Sequence, residues 1–476
     1  MNRRRFIVTL TLALFMGGSQ AFGIERDAVN QKITSLLQNK AYQGMEMSIH
    51  VYSLKKDAPV FSKEEHKILK PASNLKLVTT LAALKYLGAD YKFKTKLYTD
   101  GKIEGDTLKG NLYIKGFGDP KLVSEQLWFL TNDLKRLGFQ KVQGALILDE
   151  SFFDDKRTVR NGSHGGQRAY DAPLGALSIN FNTTAIYVQP GNQVGEPAKV
   201  IVDPTHDYIR VINQSKTTAG GKKEILVIRL PKKTHDVILV KGKIPLGAPE
   251  KRYYRNISHP LYYAASMFRR FFKEQGISVL GKNRFEATPL TVKEILTYES
   301  RPLRILVSDL NKISNNFIAE QILKTMAAEL KGTPGSTDKG LTILGEFLKG
   351  LGIQNGYTLV NGSGLSYDNK MSAAQLVEVL KYGYREFKLF PEYVSSMGIM
   401  GVDGTVKDRL KGTLAAGRIR AKTGSLKGVV ALSGYLLTQK QETLAFSMIM
   451  NDTKNRDVMM ETLQNEILLY LCQLEA

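Results

Sequence analysis

Three short motifs occur in a fixed order along this chain, and the distance between the first two constrains its fold most strongly. Ser73-Asn74-Leu75-Lys76 comes first, Ser314-Asn315-Asn316 second and Lys422-Thr423-Gly424 third. The first two serines are 241 positions apart, far more than one helix and a loop require. If the motifs meet in one domain, a large segment must therefore be inserted between them.

The order of these motifs carries more information than any one of them. A serine, two lysines and an asparagine in this order are the parts of a serine acyl-transfer site in which lysine is the base. The chain has no Gly-x-Ser-x-Gly motif, and its six histidines lack metal-ligand spacing. A Ser-His-Asp triad, a metal site and any other cofactor are therefore not expected. Single motifs are weak evidence, since Ser-x-x-Lys also occurs at Ser53/Lys56 and Ser336/Lys339, and Ser-x-Asn at Ser178/Asn180.

The first two motifs predict a nucleophile and its base. Residues i and i+3 of a helix face the same way, so Lys76 should lie one turn beyond Ser73. Lys76 can accept the Ser73 proton only when it is neutral, a form that desolvation and a second cation at Lys422 favour. We expect Ser314 to relay a proton between Lys76 and the leaving amine. Asn316 is expected to orient Lys76 and to hold the substrate amide.

The third motif predicts substrate binding along a strand. Lys422 and Thr423 offer donors to a substrate carboxylate, and the strand can pair with an extended peptide. Gly424 is interpreted as making room where the substrate backbone approaches. The backbone N–H groups of Ser73 and Ser425 are the expected oxyanion hole.

A chain of 476 residues predicts two to four domains. A helix over 75–87 is expected to begin just after Ser73, and short alternating segments make the region from about 92 to 292 β-rich. The predicted strands are 45–53, 58–61, 94–99, 110–115, 142–148, 199–202, 208–213, 224–230, 236–241, 417–423, 428–437 and 442–450. The other predicted helices are 123–137, 260–275, two within 302–330 that meet at the second motif, 337–350, 372–385, 406–411 and 456–474.

The N-terminus predicts export. A basic stretch at residues 3–5, an apolar stretch at 6–15 and the small-residue sequence Ser19-Gln20-Ala21 are typical of a cleaved signal peptide over residues 1–21. The arginines fit general secretion and also a twin-arginine signal, so the route stays open. We expect a periplasmic or cell-envelope protein. Cys472 is the chain's one cysteine, so no intramolecular disulfide can form.

The charge balance favours an anionic partner. Without residues 1–21 the chain has 64 Lys and Arg against 45 Asp and Glu, a net charge of +19. For an exported protein the available polyanions are cell-wall polymers and membrane surfaces rather than nucleic acid. A generally basic, soluble surface explains the same charge equally well.

Further segments around the motifs extend a resemblance to one family. The chain resembles the three-domain low-molecular-mass penicillin-binding proteins, the DacB-type D-alanyl-D-alanine carboxypeptidase/endopeptidases. Three residues depart from the family's pattern: Asn74 and Ser425 stand where threonine is frequent, and Tyr367 stands where a basic residue is usual. The similar segments are 71–80, 118–122, 314–316, 319–320, 361–366, 401–405 and 421–426.

The resemblance implies an α/β (α+β) fold. It implies a split penicillin-binding/β-lactamase-like transpeptidase domain, an antiparallel sheet flanked by helices, with inserted β-rich domains. The expected division is a signal peptide at 1–21, a catalytic domain at 22–91 and 293–476, an inserted domain at 92–183 and 251–292, and a nested β-rich domain at 184–250.

The implied activity is that of a serine-type peptidase. The expected substrates are peptidoglycan peptides that end in D-Ala-D-Ala or are cross-linked, and β-lactams are the expected covalent inhibitors. A β-lactamase is one alternative, but class A enzymes need a deacylating glutamate and no Glu-x-x-x-Asn occurs in 316–400. A non-catalytic wall-binding protein is another, although Ser73, Lys76 and Lys422 are all present.

Overall fold

The computed structural model describes residues 25–158 and 166–474, so the predicted signal peptide lies outside the described residues. Within those ranges, no helix is both long and apolar enough to cross a membrane. The helices are α1 (Arg26–Leu37), α2 (Lys76–Tyr86), α3 (Ser124–Lys135), α4 (Pro260–Glu274), α5 (Leu303–Lys312), α6 (Asn316–Lys331), α7 (Thr337–Gly350), α8 (Ala373–Arg385), α9 (Phe390–Ser395) and α10 (Asp457–Cys472). The strands are β1 (Glu46–Ser53), β2 (Ala58–Lys63), β3 (Lys94–Thr99), β4 (Lys102–Glu104), β5 (Thr107–Lys109), β6 (Leu112–Gly116), β7 (Lys141–Val142), β8 (Leu146–Asp149), β9 (Thr183–Gln189), β10 (Lys199–Asp203), β11 (Ile209–Thr218), β12 (Glu224–Pro231), β13 (Asp236–Pro245), β14 (Lys251–Asn256), β15 (Ser278–Val279), β16 (Asn283–Phe285), β17 (Lys293–Glu299), β18 (Gly398–Ile399), β19 (Ile419–Leu426), β20 (Val429–Leu437) and β21 (Thr443–Asn451).

Strands from the two ends of the described chain form one antiparallel sheet. Its order is β18-β19-β20-β21-β1-β2, so strands before residue 64 lie beside strands after residue 397. β1 pairs with β21 along its whole length, from Glu46 opposite Asn451 to Ser53 opposite Leu444. This pairing brings the first and third motifs into one domain.

Helices cover both faces of this sheet. α2, α5, α6, α7 and α8 share one apolar cluster with one face, while α1 and α10 share a second cluster with the other face. Every residue of α2 from Lys76 to Leu84 is buried. A helix that is buried all round is held by packing on every side. The surrounding core therefore fixes where the amine of Lys76 can lie.

Four further sheets lie in the segment between the first two motifs. Their orders are β16-β8-β6-β3-β17, β15-β7-β5-β4, β10-β9-β14 and β11-β13-β12. The predicted domain division stays a proposal. Strand pairing crosses two of its predicted boundaries, at residues 250 and 292. β14 pairs with β9 although it begins after residue 250, and β17 pairs with β3 although it begins after residue 292.

α6 contacts the inserted segment as well as the helices and strands around the six-stranded sheet. Lys324 is 1% exposed, and its Nζ donates to Asp154 Oδ1 at 2.5 Å and to the Lys156 carbonyl at 2.6 Å. The side-chain amide of Gln321 donates to the Gly175 carbonyl at 2.9 Å. A buried polar group that loses its partner destabilises the fold by about 1–3 kcal/mol. These contacts therefore tie the helix of the second motif to the inserted segment.

Some sequence-based element predictions are wrong. The predicted helix over 406–411 does not form: Val406 ends a 3-10 helix that begins at Gly404, and residues 407–411 form turns. Leu410 and Gly412 have φ of +51° and +76°, which a right-handed helix excludes. The predicted strand 142–148 is divided into β7 and β8. The sequence analysis also missed α1, α9, and several strands, among them β9 and β14.

Candidate active site

Ser73 lies in a 3-10 turn, Ala72–Leu75, immediately before α2. Ala72 has φ of +46°, a left-handed conformation that costs a non-glycine residue of order 1 kcal/mol or more. Gly364 packs against this turn so closely that a Cβ on it would lie 1.9 Å from the Ala72 carbonyl oxygen. Backbone contact with the 361–366 loop therefore helps to hold the turn in its strained shape.

Lys76 contacts the Ser73 hydroxyl from inside the core. It is fully buried, and its Nζ lies 2.8 Å from Ser73 Oγ. The same amine donates to Asn316 Oδ1 at 2.6 Å and to the Ser363 carbonyl at 2.6 Å. The structure thus brings together Ser73, Lys76 and Asn316, as the motifs predict. Sequence reasoning missed the Ser363 carbonyl, since a backbone oxygen leaves no signal in residue type.

Burial controls the charge of both lysines in the site. Desolvation lowers the pKa of Lys76 to about 7, while the carboxylate of Glu320 acts in the opposite direction. Desolvation and then the positive charge of Lys76 hold the pKa of Lys422 well below its usual range. A lysine with a pKa near 7 is neutral in about half of the molecules at neutral pH. Lys76 can therefore accept a proton under ordinary conditions.

Ser314 belongs to the Lys422 side of the site. It lies between α5 and α6 with φ of +57°. The Nζ of Lys422 donates to Ser314 Oγ at 2.8 Å and to the Thr423 carbonyl at 2.7 Å. The sequence analysis expected Ser314 to relay a proton between Lys76 and the leaving amine, and the lysine that its hydroxyl contacts here is Lys422. Lys422 is fully buried, so the exposed part of the third motif is the strand beyond it.

The edge of β19 that faces away from β20 is open beyond Ala421. β18 pairs only with Arg420 and Ala421, and no other described strand covers that edge over residues 423–426. The hydroxyl of Thr423 lies 2.7 Å from that of Thr405, and Ser425 is exposed. An extended peptide can therefore add to this edge as a further strand.

Gly424 brings β19 against the nucleophile turn. A Cβ on Gly424 would lie 2.5 Å from the Pro71 carbonyl oxygen and 3.2 Å from the Ala72 Cβ. The space that this glycine leaves is thus filled by the turn itself, whereas the sequence interpretation gave it to the substrate backbone. The close approach places the segments of Ser73 and Ser425 side by side.

The inserted segment supplies apolar side chains next to the site. The ring of Phe181 packs edge-on against that of Phe317, with centroids 6.2 Å apart, and Phe317 directly follows Asn316. No sequence signal pointed to this contact, because it joins residues far apart in the chain. The cluster consists of Ala172, Leu174, Phe181, Phe317, Leu365 and Leu426.

Known proteins match this chain over most of its length. The model of the D-Ala-D-Ala carboxypeptidase 3 (S13) family matches residues 29–467. A D-alanyl-D-alanine carboxypeptidase of Actinomadura sp. (strain R39) is 31% identical over 473 residues, which cover 94% of this chain and 87% of the relative.

Solved structures match as well. The crystal structure of penicillin-binding protein 4 (dacB) from Haemophilus influenzae has a TM-score of 0.80 and 27% identity, and the match covers 92% of this chain and 98% of that one. The same protein in complex with a β-lactam gives a TM-score of 0.75 and 26% identity, with the same coverage. The fold expected from the resemblance is thus confirmed. On the extent of these matches, the chain belongs to the D-Ala-D-Ala carboxypeptidase 3 (S13) family of serine-type peptidases.

Proposed function

We propose that this protein is a D-alanyl-D-alanine carboxypeptidase and DD-endopeptidase that cleaves peptidoglycan stem peptides and cross-links through an acyl-enzyme on Ser73. The observation that carries the proposal is the 2.8 Å contact between Lys76 Nζ and Ser73 Oγ. Burial gives this lysine a pKa of about 7, so the neutral amine can remove the hydroxyl proton near neutral pH. Membership of the S13 family supports the substrate class.

In the proposed reaction, Lys76 takes the Ser73 proton as Ser73 Oγ bonds to the carbonyl carbon of the penultimate D-alanine. The N–H groups of Ser73 and Ser425 stabilise the oxyanion, and one such donor is worth about 10²–10³ in rate. The C–N bond then breaks as Ser314 gives its hydroxyl proton to the departing nitrogen and takes a proton from Lys422, whose amine it contacts. The proton that Lys76 took from Ser73 replaces the one that Lys422 gave. Water next hydrolyses the ester and restores the serine.

The open edge of β19 supports the way the substrate is held. We propose that the stem peptide adds to this edge, with Gly424 at the approach to the nucleophile turn. The Thr423 and Ser425 hydroxyls bind the terminal carboxylate, with Lys422 next to them on β19. Carboxypeptidase and endopeptidase action need the same acyl-enzyme, because the two reactions differ only in which amine leaves.

Mass spectrometry of products from purified cross-linked muropeptides tests this proposal. We expect release of the terminal D-alanine from pentapeptides and conversion of dimers to monomers, both absent in Ser73→Ala. Release of D-alanine alone would remove the endopeptidase half of the proposal. The absence of both products from a folded protein would refute it.

The β-lactamase alternative finds no support in the position of Glu320, the glutamate nearest in sequence to the second motif. Its carboxylate accepts from the backbone N–H groups of Gly362 and Ser363, at 3.1 and 2.7 Å. It is thus engaged with backbone rather than free to activate a deacylating water. We propose that β-lactams acylate Ser73 and remain bound.

We also propose export to the cell envelope, with removal of residues 1–21, and contact between the nested region and anionic wall polymer. Residues 184–256 hold thirteen Lys and Arg against six Asp and Glu. On the exposed face of the β10-β9-β14 sheet, Arg252 lies opposite Tyr187 in register. Its guanidinium lies 5.9 Å from the ring centroid of Tyr187 and 5.0 Å from that of Tyr254. Cations and flat rings together suit a polymer of sugars and carboxylates.

Removing this surface should weaken action on polymer selectively. Deletion of 184–250 would leave β14 without β9, so point variants are the sharper design. We expect Arg252→Gln/Tyr254→Ser to lower activity on polymeric peptidoglycan severalfold at low salt, with unchanged activity on a short D-Ala-D-Ala peptide. The matched control is Arg136→Gln/Trp128→Ser, which removes an exposed arginine and an exposed aromatic ring at α3. Equal loss on both substrates would contradict wall docking.

A further inference from the structure

Glu320 is a buried carboxylate that touches neither Ser73 nor substrate in the mechanism above. It lies one turn after Asn316 on α6, a spacing that places both side chains on the same face of the helix, and it is 1% exposed. The N–H groups of Gly362 and Ser363 donate to its two oxygens at 3.1 and 2.7 Å. The Ser363 hydroxyl also hydrogen-bonds to it. Burial raises the pKa of Glu320, while these donors and the charge of Lys76 act in the opposite direction and favour its ionised form, which is an acceptor only.

Ser363 is therefore held from both sides. Glu320 binds its N–H and its hydroxyl, while the next residue, Gly364, has φ of +78° and presses against the Ala72 carbonyl. These contacts fix the direction of the Ser363 carbonyl, and that carbonyl accepts from Lys76 Nζ at 2.6 Å. Glu320 thus acts on Lys76 through one intervening residue.

The contacts of Lys76 determine where its electron pair points. A neutral amine has two N–H bonds and one free electron pair. Two of the three neighbours of Nζ, the Asn316 side-chain oxygen and the Ser363 carbonyl, are acceptors only. If both N–H bonds point to these oxygens, the electron pair faces the third neighbour, the hydroxyl of Ser73. Without the Ser363 carbonyl, one N–H is free to turn toward Ser73 instead.

We propose that Glu320 is a positioning residue for acylation: by holding Ser363, it aims the free electron pair of neutral Lys76 at the hydroxyl of Ser73. This inference rests on the proposed function, because it assumes that Lys76 is the base. It gives a role to the glutamate four residues after the second motif and to the Gly-Ser-Gly segment at 362–364.

The negative charge of Glu320 acts on the same lysine. It raises the pKa of Lys76 against the lowering effect of burial, and Lys422 is the second buried lysine that faces Lys76, from β19. On α6, Lys324 faces Glu320 from the next turn and is itself paired with Asp154. Removing only the Glu320 charge should therefore lower the pKa of Lys76 further. The acidic limb of the acylation rate, which follows loss of the Lys76 proton, should then move to lower pH.

Two substitutions separate position from charge. Glu320→Gln keeps the shape but replaces one acceptor with a donor that faces the Gly362–Ser363 N–H groups. We expect penicillin acylation at the plateau to slow by about 10- to 100-fold, the scale of a catalytic group misplaced by a fraction of an ångström to one ångström, and the acidic limb to shift to lower pH. Glu320→Asp keeps the charge on a shorter side chain. Its plateau should fall as well, while its acidic limb stays near that of the native protein.

The matched control is Glu442→Gln, which neutralises another buried glutamate of the same domain, one that accepts from the Ser53 hydroxyl. It should change thermal stability without changing the pH profile of acylation. A Glu320→Gln profile that superimposes on the native one, or a loss of rate with an unmoved limb, would overturn the proposal. If Glu320→Gln does not fold, Glu320→Asp still decides, because a native plateau in that variant also overturns it. Failure of the proposed function is distinct, since the native protein itself would then form no adduct on Ser73.

Discussion

Replacing Ser73 with alanine should abolish the covalent adduct that penicillin forms with this protein. The β-lactam carbonyl takes the place of the D-Ala-D-Ala carbonyl, and its carboxylate takes the place of the peptide's C-terminus along β19. Ser73 is the serine whose hydroxyl contacts the buried amine of Lys76. Intact-protein mass spectrometry should show a single adduct on the native protein and none on Ser73→Ala.

The other two Ser-x-x-Lys serines provide matched controls. The Ser53 hydroxyl donates to Glu442 and accepts from the Lys56 N–H, while Ser336 caps α7 by accepting from the Lys339 N–H. Both therefore have structural roles. Ser336→Ala should lower stability by about 1 kcal/mol and leave the adduct intact, as should Ser53→Ala at a cost in stability. An adduct that persists in Ser73→Ala, or that maps to either control serine, would refute the site.

The lifetime of the adduct tests the β-lactamase alternative in the same experiment. We expect the native adduct to persist over many minutes after free penicillin is removed, because Glu320 is bound to backbone N–H groups. Rapid multiple turnover of penicillin would favour a β-lactamase instead.

Replacing Lys76 should slow acylation by about 10²–10⁴-fold at pH 7, the usual worth of a general base. Ser73 alone is a weak nucleophile at this pH, and its hydroxyl would lose its contact with the amine. Lys76→Ala tests the role, and Lys76→Met tests it with the side-chain volume largely kept. Stopped-flow kinetics with a chromogenic β-lactam measures the rate, and circular dichroism checks the fold.

A second buried lysine controls for charge loss in the core. Lys381 is 9% exposed and pairs with Glu378 at 2.8 Å, and Lys381→Met should leave the acylation rate near its native value. In the native protein the rate should rise with pH through about 7, since deprotonation of Lys76 activates the serine. Near-native acylation by Lys76→Ala at pH 7 would show that lysine is not the base.

The parts of the site that could be predicted are the contacts that follow from residue type and from a short spacing in the sequence. Ser73 and Lys76 are one helical turn apart, and their contact follows from that spacing. The sheet was predictable for a similar reason, since β1 alternates and β20 and β21 consist mostly of apolar residues.

The parts that were missed depend on backbone atoms and on distant contacts. The Ser363 carbonyl contacts Lys76 across 287 positions of sequence, and any residue type has such an oxygen. The contact between Ser314 and Lys422 was also missed, because the sequence does not show which of two lysines a loop serine will face. Residues 406–411 were predicted to be helical because the apolar residues Val406 and Leu410 are four positions apart. The left-handed backbone at Leu410 cannot be predicted from its residue type.

The attachment of α6 to the inserted segment bears on how this chain can have evolved. An inserted segment that is gained or exchanged by recombination has to leave the core of the rest of the protein unchanged. The nested sheets meet that condition more easily than the sheets closest to α6, because the side chains of Lys324 and Gln321 donate to Asp154, Lys156 and Gly175. Loss of the segment that contains these partners would leave the buried ammonium group of Lys324 without a hydrogen-bond acceptor, one helical turn from Glu320. Variation in length among descendants of this gene should therefore concentrate in the nested region and spare residues 150–182.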